Sequence, residues 1–440
     1  MAPSVDRDAI PGTFTLVDLE HVMASRHMDR GNSDIVLVPQ PSNDPDDPLN
    51  WSPRRKLMST ICVSVYTLFN GIACSVVYSV LVPLSEATGV SVRSNYFAPV
   101  ICGFIAEYHG WQWVFYWPAI FCVGAIVFLF FFMEETNYSR GVAHSTTVGD
   151  PIEPSTTTWE HVDQEKAAPV ASRGDTAYGM IYTKKTYVQK LSLWGPRQPK
   201  NNMLRRLYHT LYYLSWPVIF YAGFSYGSYL VWFNVLNGTA SIILGSAPYN
   251  FSSSMVGLSY VACCIGVVLG SLFTGRFSDW LTIRLARRNN GIMEAEQRLW
   301  PFTICLIIVP GSLILWGVGA AHHVHWFGLL VAMCILAMAN TCGITLSVNY
   351  LVDSYRELSG DAMSSIILVR NTMSFAIGYG ITPWINNLGY QNCFISAAFI
   401  GMTCSAIFLV MIRWGKTFRT RSREKYWKLV IENWEKGMRH

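Results

Sequence analysis

Long apolar runs recur along this chain and alternate with shorter polar segments. A helix needs about 20 predominantly apolar residues to cross a bilayer, and runs of that length predict eight spanning helices, at about 57–84, 111–133, 211–237, 253–275, 299–320, 325–352, 361–386 and 392–413. A shorter apolar segment at 94–107 has the length of a re-entrant or interfacial segment. The pattern therefore predicts an all-α polytopic membrane protein with about eight spanning helices and one short re-entrant segment.

Polar segments divide the chain into five predicted parts. They are a disordered tail at 1–56, a first transmembrane region at 57–135, a linker at 136–206, a second transmembrane region with six spans at 207–415, and a basic tail at 416–440. The first tail contains many acidic residues and no apolar periodicity, which is typical of disordered segments.

Basic residues are distributed unevenly between the loops. Arg54, Arg55 and Lys56 directly precede the first span, and the loops at 276–298 and near Arg356 are also basic. The intervening loops, near 240–252, 320–325 and 387–391, contain no Lys or Arg. Because Lys and Arg are enriched on the cytoplasmic side of membranes, both termini and the linker are predicted to be cytoplasmic. The segment at 94–107 must then enter and leave the membrane on the same face.

Composition agrees with a membrane protein and excludes several other classes. Charged residues make up 14% of the chain and hydrophobic residues 51%, whereas soluble domains average roughly 25% charged residues. The net charge is +5, but the basic residues lie next to the spans. They therefore indicate how the protein is oriented in the membrane and do not indicate nucleic-acid binding. The cysteines show no spacing typical of a disulfide framework or a zinc site. No metal and no cofactor are predicted.

Enzyme motifs occur only superficially. Gly223–Gly227 matches G-x-S-x-G, but a nucleophile elbow requires a strand, a turn and a helix, and this segment lies inside a predicted span. Gly415–Thr417 lacks the upstream glycine of a P-loop. His322, His323 and His325 are expected to form a solvated loop, because no fourth metal ligand is evident. The chain is not predicted to be an enzyme.

One loop motif and several other stretches resemble a known family. Gly275–Arg288 resembles the G-x-L-A-D-R-x-G-R-R loop motif of the major facilitator superfamily, in its degenerate second-half copy; Gly275 and Asp279 match, and Ser278 and Trp280 depart from the pattern. Further stretches are similar to the fungal branch of the drug/proton antiporter family, namely 44–51, 98–105, 134–138 and 352–363. The resemblance covers nearly all of residues 44–415.

The resemblance assigns a gate and part of a second motif. The implied gate residues are Gly275, Asp279, Arg284, Arg287, Arg288 and Asp353. Asp279 and Asp353 lie at cytoplasmic ends of predicted spans, where we expect them to pair with Arg residues and with the N-terminus of the span that begins near Gly360. Pro99 and Gly103 are similar to a remnant of the antiporter motif in the fifth helix of the family.

The resemblance also implies two six-helix halves and alternating access around a midplane cavity. The half at 207–415 contains all six spans, but the half at 57–135 matches only the first helix, the end of the fifth and the sixth. The intervening helices would have to lie between Val92 and Ser94, where the sequence is continuous. A deletion, a skipped exon or an incorrect gene model would each explain this incomplete N-terminal half.

Polar residues inside predicted spans are candidates for a substrate or proton pathway. Arg370 lies near the bilayer centre, where an Arg costs on the order of 3 kcal/mol, so it is expected to face a cavity or a partner. A role in transport and a purely structural hydrogen bond both remain open. Tyr226 and Tyr229 share one helix face, which suits either an amphipathic ligand or core packing. The candidate residues are Arg370, Asn371, Asn349, Tyr226, Tyr229 and Asn70.

These expectations combine into a secondary active transporter for proton-coupled efflux of a small amphipathic organic compound, such as a drug or a fungal secondary metabolite. Substrate and coupling follow from the resemblance alone. The implied partners are a small-molecule substrate, protons and the lipid bilayer, without nucleic acid or an obligate protein partner. A truncated, transport-deficient remnant and a polyamine or nutrient carrier of the same fold remain alternatives. The protein is expected in the plasma membrane, with a glycosylation acceptor at Asn250 in an outside loop.

Overall fold

The computed structural model describes residues 8–18, 35–36, 47–75, 113–133 and 203–435. The predicted re-entrant segment at 94–107, including Pro99 and Gly103, and nearly all of the predicted linker at 136–206 lie outside these ranges. Asn70 lies in a helix, but its side chain is outside the described part of the structure.

Two helices occupy the predicted first transmembrane region. Helix α1 is Pro53–Ser75 and helix α2 is Trp113–Phe132. A short 3-10 helix at Pro48–Asn50 precedes α1. The two helices pack on each other, and the ring centroids of Phe69 and Phe121 are 5.6 Å apart. Helix α2 falls within the span predicted at 111–133, whereas α1 overlaps the span predicted at 57–84 but already begins at Pro53.

The C-terminal part of the described chain is a helical bundle. Its elements are α3 (Met203–Tyr213), α4 (Pro217–Gly245), α5 (Ser253–Ser259), α6 (Val261–Leu272), α7 (Ser278–Arg288), strand β2 (Ile292–Glu294), α8 (Phe302–Ala321), α9 (Trp326–Ser354), α10 (Ser359–Ala406) and α11 (Phe408–Glu435). A π-helical turn at Phe273–Phe277 joins α6 to α7, and 3-10 helices occupy Ala295–Leu299 and Arg356–Leu358. Helix α11 continues from the last predicted span into the region of the predicted basic tail.

Among the described residues, four helical stretches are long and apolar enough to cross a membrane: Ser254–Arg288, Ala295–Ala321, Trp326–Ser354 and Arg356–Asn433. The last stretch holds more than one helix, because Gly389 has non-helical angles (φ 70°, ψ 169°) within the predicted loop at 387–391. Helix α4 has 29 residues and is long enough to cross a membrane. Its Ser, Asn and Gly residues give it a lower mean hydropathy than the four stretches named above. The prediction of an all-α polytopic membrane fold is confirmed.

Glycines allow the bundle helices to approach one another closely. The ring of Tyr229 on α4 lies directly against Gly343 on α9, where a Cβ would overlap the ring. Gly317 on α8 faces the ring of Phe394 on α10 in the same way. Small residues at helix contacts permit this close packing inside membranes. Helix α4 packs along both α9 and α10, so it is a central helix of this part of the protein.

A two-stranded antiparallel sheet connects the N-terminal tail to the bundle. Strand β1 (Thr13–Thr15) pairs with β2, with Thr13 opposite Glu294 and Thr15 opposite Ile292. The tail at 1–56 is predicted to be disordered, and this strand is a correction to that prediction. The partner strand lies about 280 residues further along the chain, so no local pattern in the tail indicates the pairing.

Candidate functional site

Arg370 on α10 is half-buried and binds Tyr226 on α4. Its Nη1 donates a hydrogen bond to the Tyr226 hydroxyl at 2.8 Å, and its guanidinium carbon lies 5.1 Å from the centroid of the same ring. Its Nε donates to the Asn371 side-chain oxygen at 3.1 Å. A guanidinium has five N–H donors. Among the described residues, Arg370 uses two of its donors, in the bonds to Tyr226 and Asn371. The remaining donors are suited to a carbonyl or anionic group.

Two glycines bring α4 against α10 at the level of this arginine. A Cβ on Gly227 would lie 3.3 Å from the Cα of Arg370, and Gly223 contacts α10 one turn earlier. These are the glycines of the G-x-S-x-G pattern. Ser225 between them accepts a hydrogen bond from the Ser347 hydroxyl of α9 at 2.9 Å. The pattern therefore serves helix packing and contains no exposed nucleophile.

Of the other predicted pathway residues, Tyr229 and Asn349 lie away from Arg370. Tyr229 is buried in the core, and its ring stacks on Phe302 with the centroids 5.6 Å apart. Asn349 is half-buried on α9, and Asn371 is exposed beside Arg370. Three of the candidates lie together: Arg370, Asn371 and Tyr226.

Arg298 connects two acidic side chains at what we call the basic end of the bundle, where the α7–α8 and α9–α10 loops lie. Its Nη1 donates to the Asp279 carboxylate at 2.6 Å, and its Nε donates to the Asp353 carboxylate at 2.7 Å. Asp279 lies in the first turn of α7 and Asp353 near the end of α9. The cluster therefore joins three elements through a permanent cation.

The basic residues predicted for the gate have other surroundings. The guanidinium of Arg284 lies 5.2 Å from the ring centroid of Trp280. Arg287 and Arg288 lie in the last turn of α7, where positive charge suits the helix dipole. Gly275 lies in the π-helical turn with open space where a Cβ would be. Sequence reasoning missed Arg298, although it is the last basic residue before the next span.

A second ion pair at the basic end is buried. Arg419 on α11 has no exposed side-chain surface, and it donates to both carboxylate oxygens of Glu296, with Nε at 2.9 Å from Oε1. It also donates to the Pro11 carbonyl and to the Thr13 hydroxyl at 3.2 Å. Sequence reasoning gave Arg419 only a topological role. Its carboxylate partner lies 123 residues away, so no local spacing reveals the pair.

The predicted glycosylation residue lies at the opposite end of the bundle. Asn250 is exposed in the loop at 246–252, with a φ of 47°. In the same loop the Tyr249 hydroxyl donates to the Val324 carbonyl at 2.6 Å, which joins this loop to the turn between α8 and α9. Asn250 is therefore accessible in the structure.

The histidine cluster has a structural contact. His325 Nδ1 accepts a hydrogen bond from the Phe327 N–H at 3.3 Å and caps α9. His322 and His323 are exposed in the turn before it. In the part of the chain that the structure describes, no group of three or more His, Cys, Asp or Glu residues could hold a metal ion.

Comparison with known proteins gives a family and several relatives. Residues 87–371 match the Major Facilitator Superfamily. The chain is 25% identical to an uncharacterised MFS-type transporter of Schizosaccharomyces pombe, with 98% of this chain and 96% of the relative covered. It is 26% identical to a probable efflux pump of Aspergillus flavus, covering 79% and 73%, and 26% identical to quinidine resistance protein 3 of Saccharomyces cerevisiae, covering 42% and 27%. No solved structure gives a significant match.

The alignment with the Schizosaccharomyces pombe relative is longer than this chain. It extends over 557 positions, whereas the chain has 440 residues. More than about 100 positions therefore have no residue in this chain. At about 20 residues per span, this difference is large enough for several membrane helices and their loops.

Proposed function

Because this chain belongs to the major facilitator superfamily, we propose that it is a secondary active transporter that exports a small amphipathic organic compound in exchange for protons. Its place among membrane transporters follows from the family. The substrate class, the direction and the proton coupling are our proposal. They are supported by the relatives named as a probable efflux pump and as a quinidine resistance protein.

The bond between Arg370 and Tyr226 is the observation that carries this proposal. It places a cation, whose bonds to described residues leave N–H donors for another group, beside an aromatic face within a helix of a membrane bundle. Charged residues inside a membrane are rare and usually mark a substrate or ion pathway. Binding sites for organic ligands combine an apolar surface with a few polar groups. An amphipathic compound with a carbonyl or anionic group fits this pair. A polyamine fits less well, because Arg370 would repel its positive charges.

We propose the Arg298 cluster as the inward gate. Its contacts with Asp279 and Asp353 join the ends of two helices, and alternating access requires contacts that form on one side and break on the other. The basic loops support a cytoplasmic position for this end and for both termini, and the plasma membrane is the location that we propose. A reporter domain fused after Gly110 should then face outside; a cytoplasmic reporter would contradict this topology.

A transport-deficient remnant is the second candidate, and the alignment with the Schizosaccharomyces pombe relative supports it. An incomplete N-terminal half at 57–135 would leave one wall of a two-half cavity missing. Sequencing the transcript across the codons for Val92 and Ser94 distinguishes the transporter from the remnant. Several additional helices in the transcript would support a complete transporter, and a transcript identical to this chain would favour the remnant.

Export by membrane vesicles tests the transport proposal directly. The encoded protein, in the form that the transcript specifies, should release a fluorescent amphipathic dye when an imposed proton gradient is present. Arg370→Ala should abolish this export, whereas Arg421→Ala, which removes an exposed arginine on α11, should leave it unchanged. Unchanged export in Arg370→Ala would remove Arg370 from the pathway, and export that ignores the gradient would refute proton coupling.

A further inference from the structure

Residues 8–18, which we call the strap, bind along the basic end of the bundle. Beyond the pairing of β1 with β2, the N–H groups of Leu16 and Val17 donate to the Gly291 carbonyl at 2.9 and 3.2 Å. The Ala295 N–H donates to the Gly12 carbonyl at 3.1 Å. The strap therefore extends the short sheet on both sides of β1, in the manner of a peptide added to an exposed strand.

One face of α11 binds the other side of the strap. Arg419, Arg423 and Trp427 follow one another at intervals of four residues, so they share a helix face. Each donates to a strap backbone carbonyl: Arg419 to Pro11, Arg423 to Asp8 at 2.9 Å, and Trp427 to Ala9 at 3.0 Å. Arg423 also pairs with the Asp8 carboxylate at 3.4 Å. The spacing of these three side chains along α11 matches the spacing of the strap carbonyls that they bind. The basic C-terminal helix therefore binds a specific segment of its own chain.

Apolar contacts complete the binding of the strap. Val17 is buried with Ala286 of α7 and Met293 of β2. The guanidinium of Arg356 lies 4.7 Å from the ring centroid of Phe14. Val17 also lies so close to Gly291 that a Cβ on Gly291 would overlap the carbonyl oxygen of Val17. The strap thus contacts α7, β2, α11 and the 3-10 helices at Ala295–Leu299 and Arg356–Leu358.

The strap touches both sides of the Arg298–Asp353 contact. It pairs with β2 and with Ala295, three residues before Arg298. Gly12 lies against the Asp353 backbone, and a Cβ on it would be 2.8 Å from the Asp353 carbonyl oxygen. Gly12 has a φ of +75°, a conformation that glycine adopts at little cost. Arg298 and its acceptor are therefore held by the same short segment.

We propose that the strap is an autoinhibitory element which, when bound, holds the Arg298–Asp353 contact closed; this inference rests on the inward gate proposed above. Opening this contact requires the Arg298 segment and the end of α9 to separate, and the bound strap ties both to α11. Release of the strap removes that restraint while leaving the gate residues unchanged. The strap thereby couples the N-terminal tail to the conformational equilibrium of the bundle.

Hydrogen exchange of the full chain in lipid nanodiscs tests this proposal. Gly12→Ala should prevent docking, because the new methyl group would overlap the Asp353 backbone. We expect the amides of Leu16, Val17 and Ala295 to exchange about tenfold faster or more, as in local opening. Peptides containing Arg298 and Asp353 should also exchange faster. Gly378→Ala, where a Cβ meets open space, is the matched control and should change neither region.

A second variant keeps the test decisive if Gly12→Ala folds poorly. Trp427→Phe removes the N–H donor to Ala9 but keeps an aromatic ring, and it should produce the same changes at a smaller amplitude. Faster exchange confined to the strap, with unchanged exchange around Arg298 and Asp353, would overturn the proposal, as would strap amides that exchange freely in the unaltered protein. These measurements need no transport, so their outcome is separate from that of the transport proposal.

Discussion

Arg419 and Glu296 form an ion pair whose side chains are 0% and 7% exposed. A buried charge that loses its partner is strongly unfavourable. We therefore expect Glu296→Gln to lower the free energy of unfolding by roughly 3–5 kcal/mol. Thermal unfolding in detergent measures the effect. Lys416→Gln, which removes the exposed Lys416–Glu294 pair, is the control and should cost less than about 1 kcal/mol. Equal effects would contradict the role of burial.

The two carboxylates bound by Arg298 should contribute unequally. The Asp353 side chain is 13% exposed, whereas that of Asp279 is 60% exposed. Solvent screens the Asp279 contact, so Asp279→Asn should cost less than about 1 kcal/mol. Asp353→Asn should cost about 1–3 kcal/mol, because it weakens a half-buried charged hydrogen bond. Chemical or thermal unfolding of the two variants would reveal the difference, and the reverse order would be inconsistent with this geometry.

Tyr226→Phe isolates the hydroxyl that binds Arg370. The ring remains, but Nη1 of Arg370 loses its acceptor at 2.8 Å. In the export assay we expect a loss of apparent affinity of roughly tenfold or more, because one hydrogen bond to a charged group contributes about 1.5–3 kcal/mol, here to holding Arg370 in place. Tyr379→Phe on the exposed face of α10 is the control. If Tyr226→Phe behaves like the control, the pair has no part in substrate binding.

Gly343→Ala should disrupt the bundle core. The new methyl group would overlap the ring of Tyr229, which is itself stacked on Phe302. Overpacking of this kind costs typically about 1–3 kcal/mol, and a lower unfolding temperature should report it. Gly378→Ala meets no such obstacle and should be close to neutral. A neutral Gly343→Ala would mean that Tyr229 moves aside at little cost.

The spans were the part of the fold that the sequence could predict, because a membrane imposes a long apolar run on each of them. The break at Gly389 lies within the loop predicted at 387–391, and α9 (Trp326–Ser354) coincides closely with the span predicted at 325–352. Apolar length is a property of contiguous residues, so one sequence suffices to detect it.

Local sequence patterns do not predict which side chain each polar residue binds. Arg370 and Tyr226 were both candidates, but their bond depends on how Gly223 and Gly227 seat α4 against α10. Arg298 was overlooked among neighbouring basic residues, since its two acceptors come from α7 and α9. Such contacts depend on helix packing, which spacing along the chain does not encode.

The π-helical turn at Phe273–Phe277 determines how Asp279 is oriented toward Arg298. A helix advances by about 100° per residue, and a π-helical turn accommodates one residue more than an α-helical turn. If the same residues formed a regular α-helical turn instead, Asp279 would be turned about 100° around the axis, away from Arg298. A change from π-helical to α-helical hydrogen bonding in this one turn would thus move an acidic side chain out of the Arg298 cluster without any change of residue.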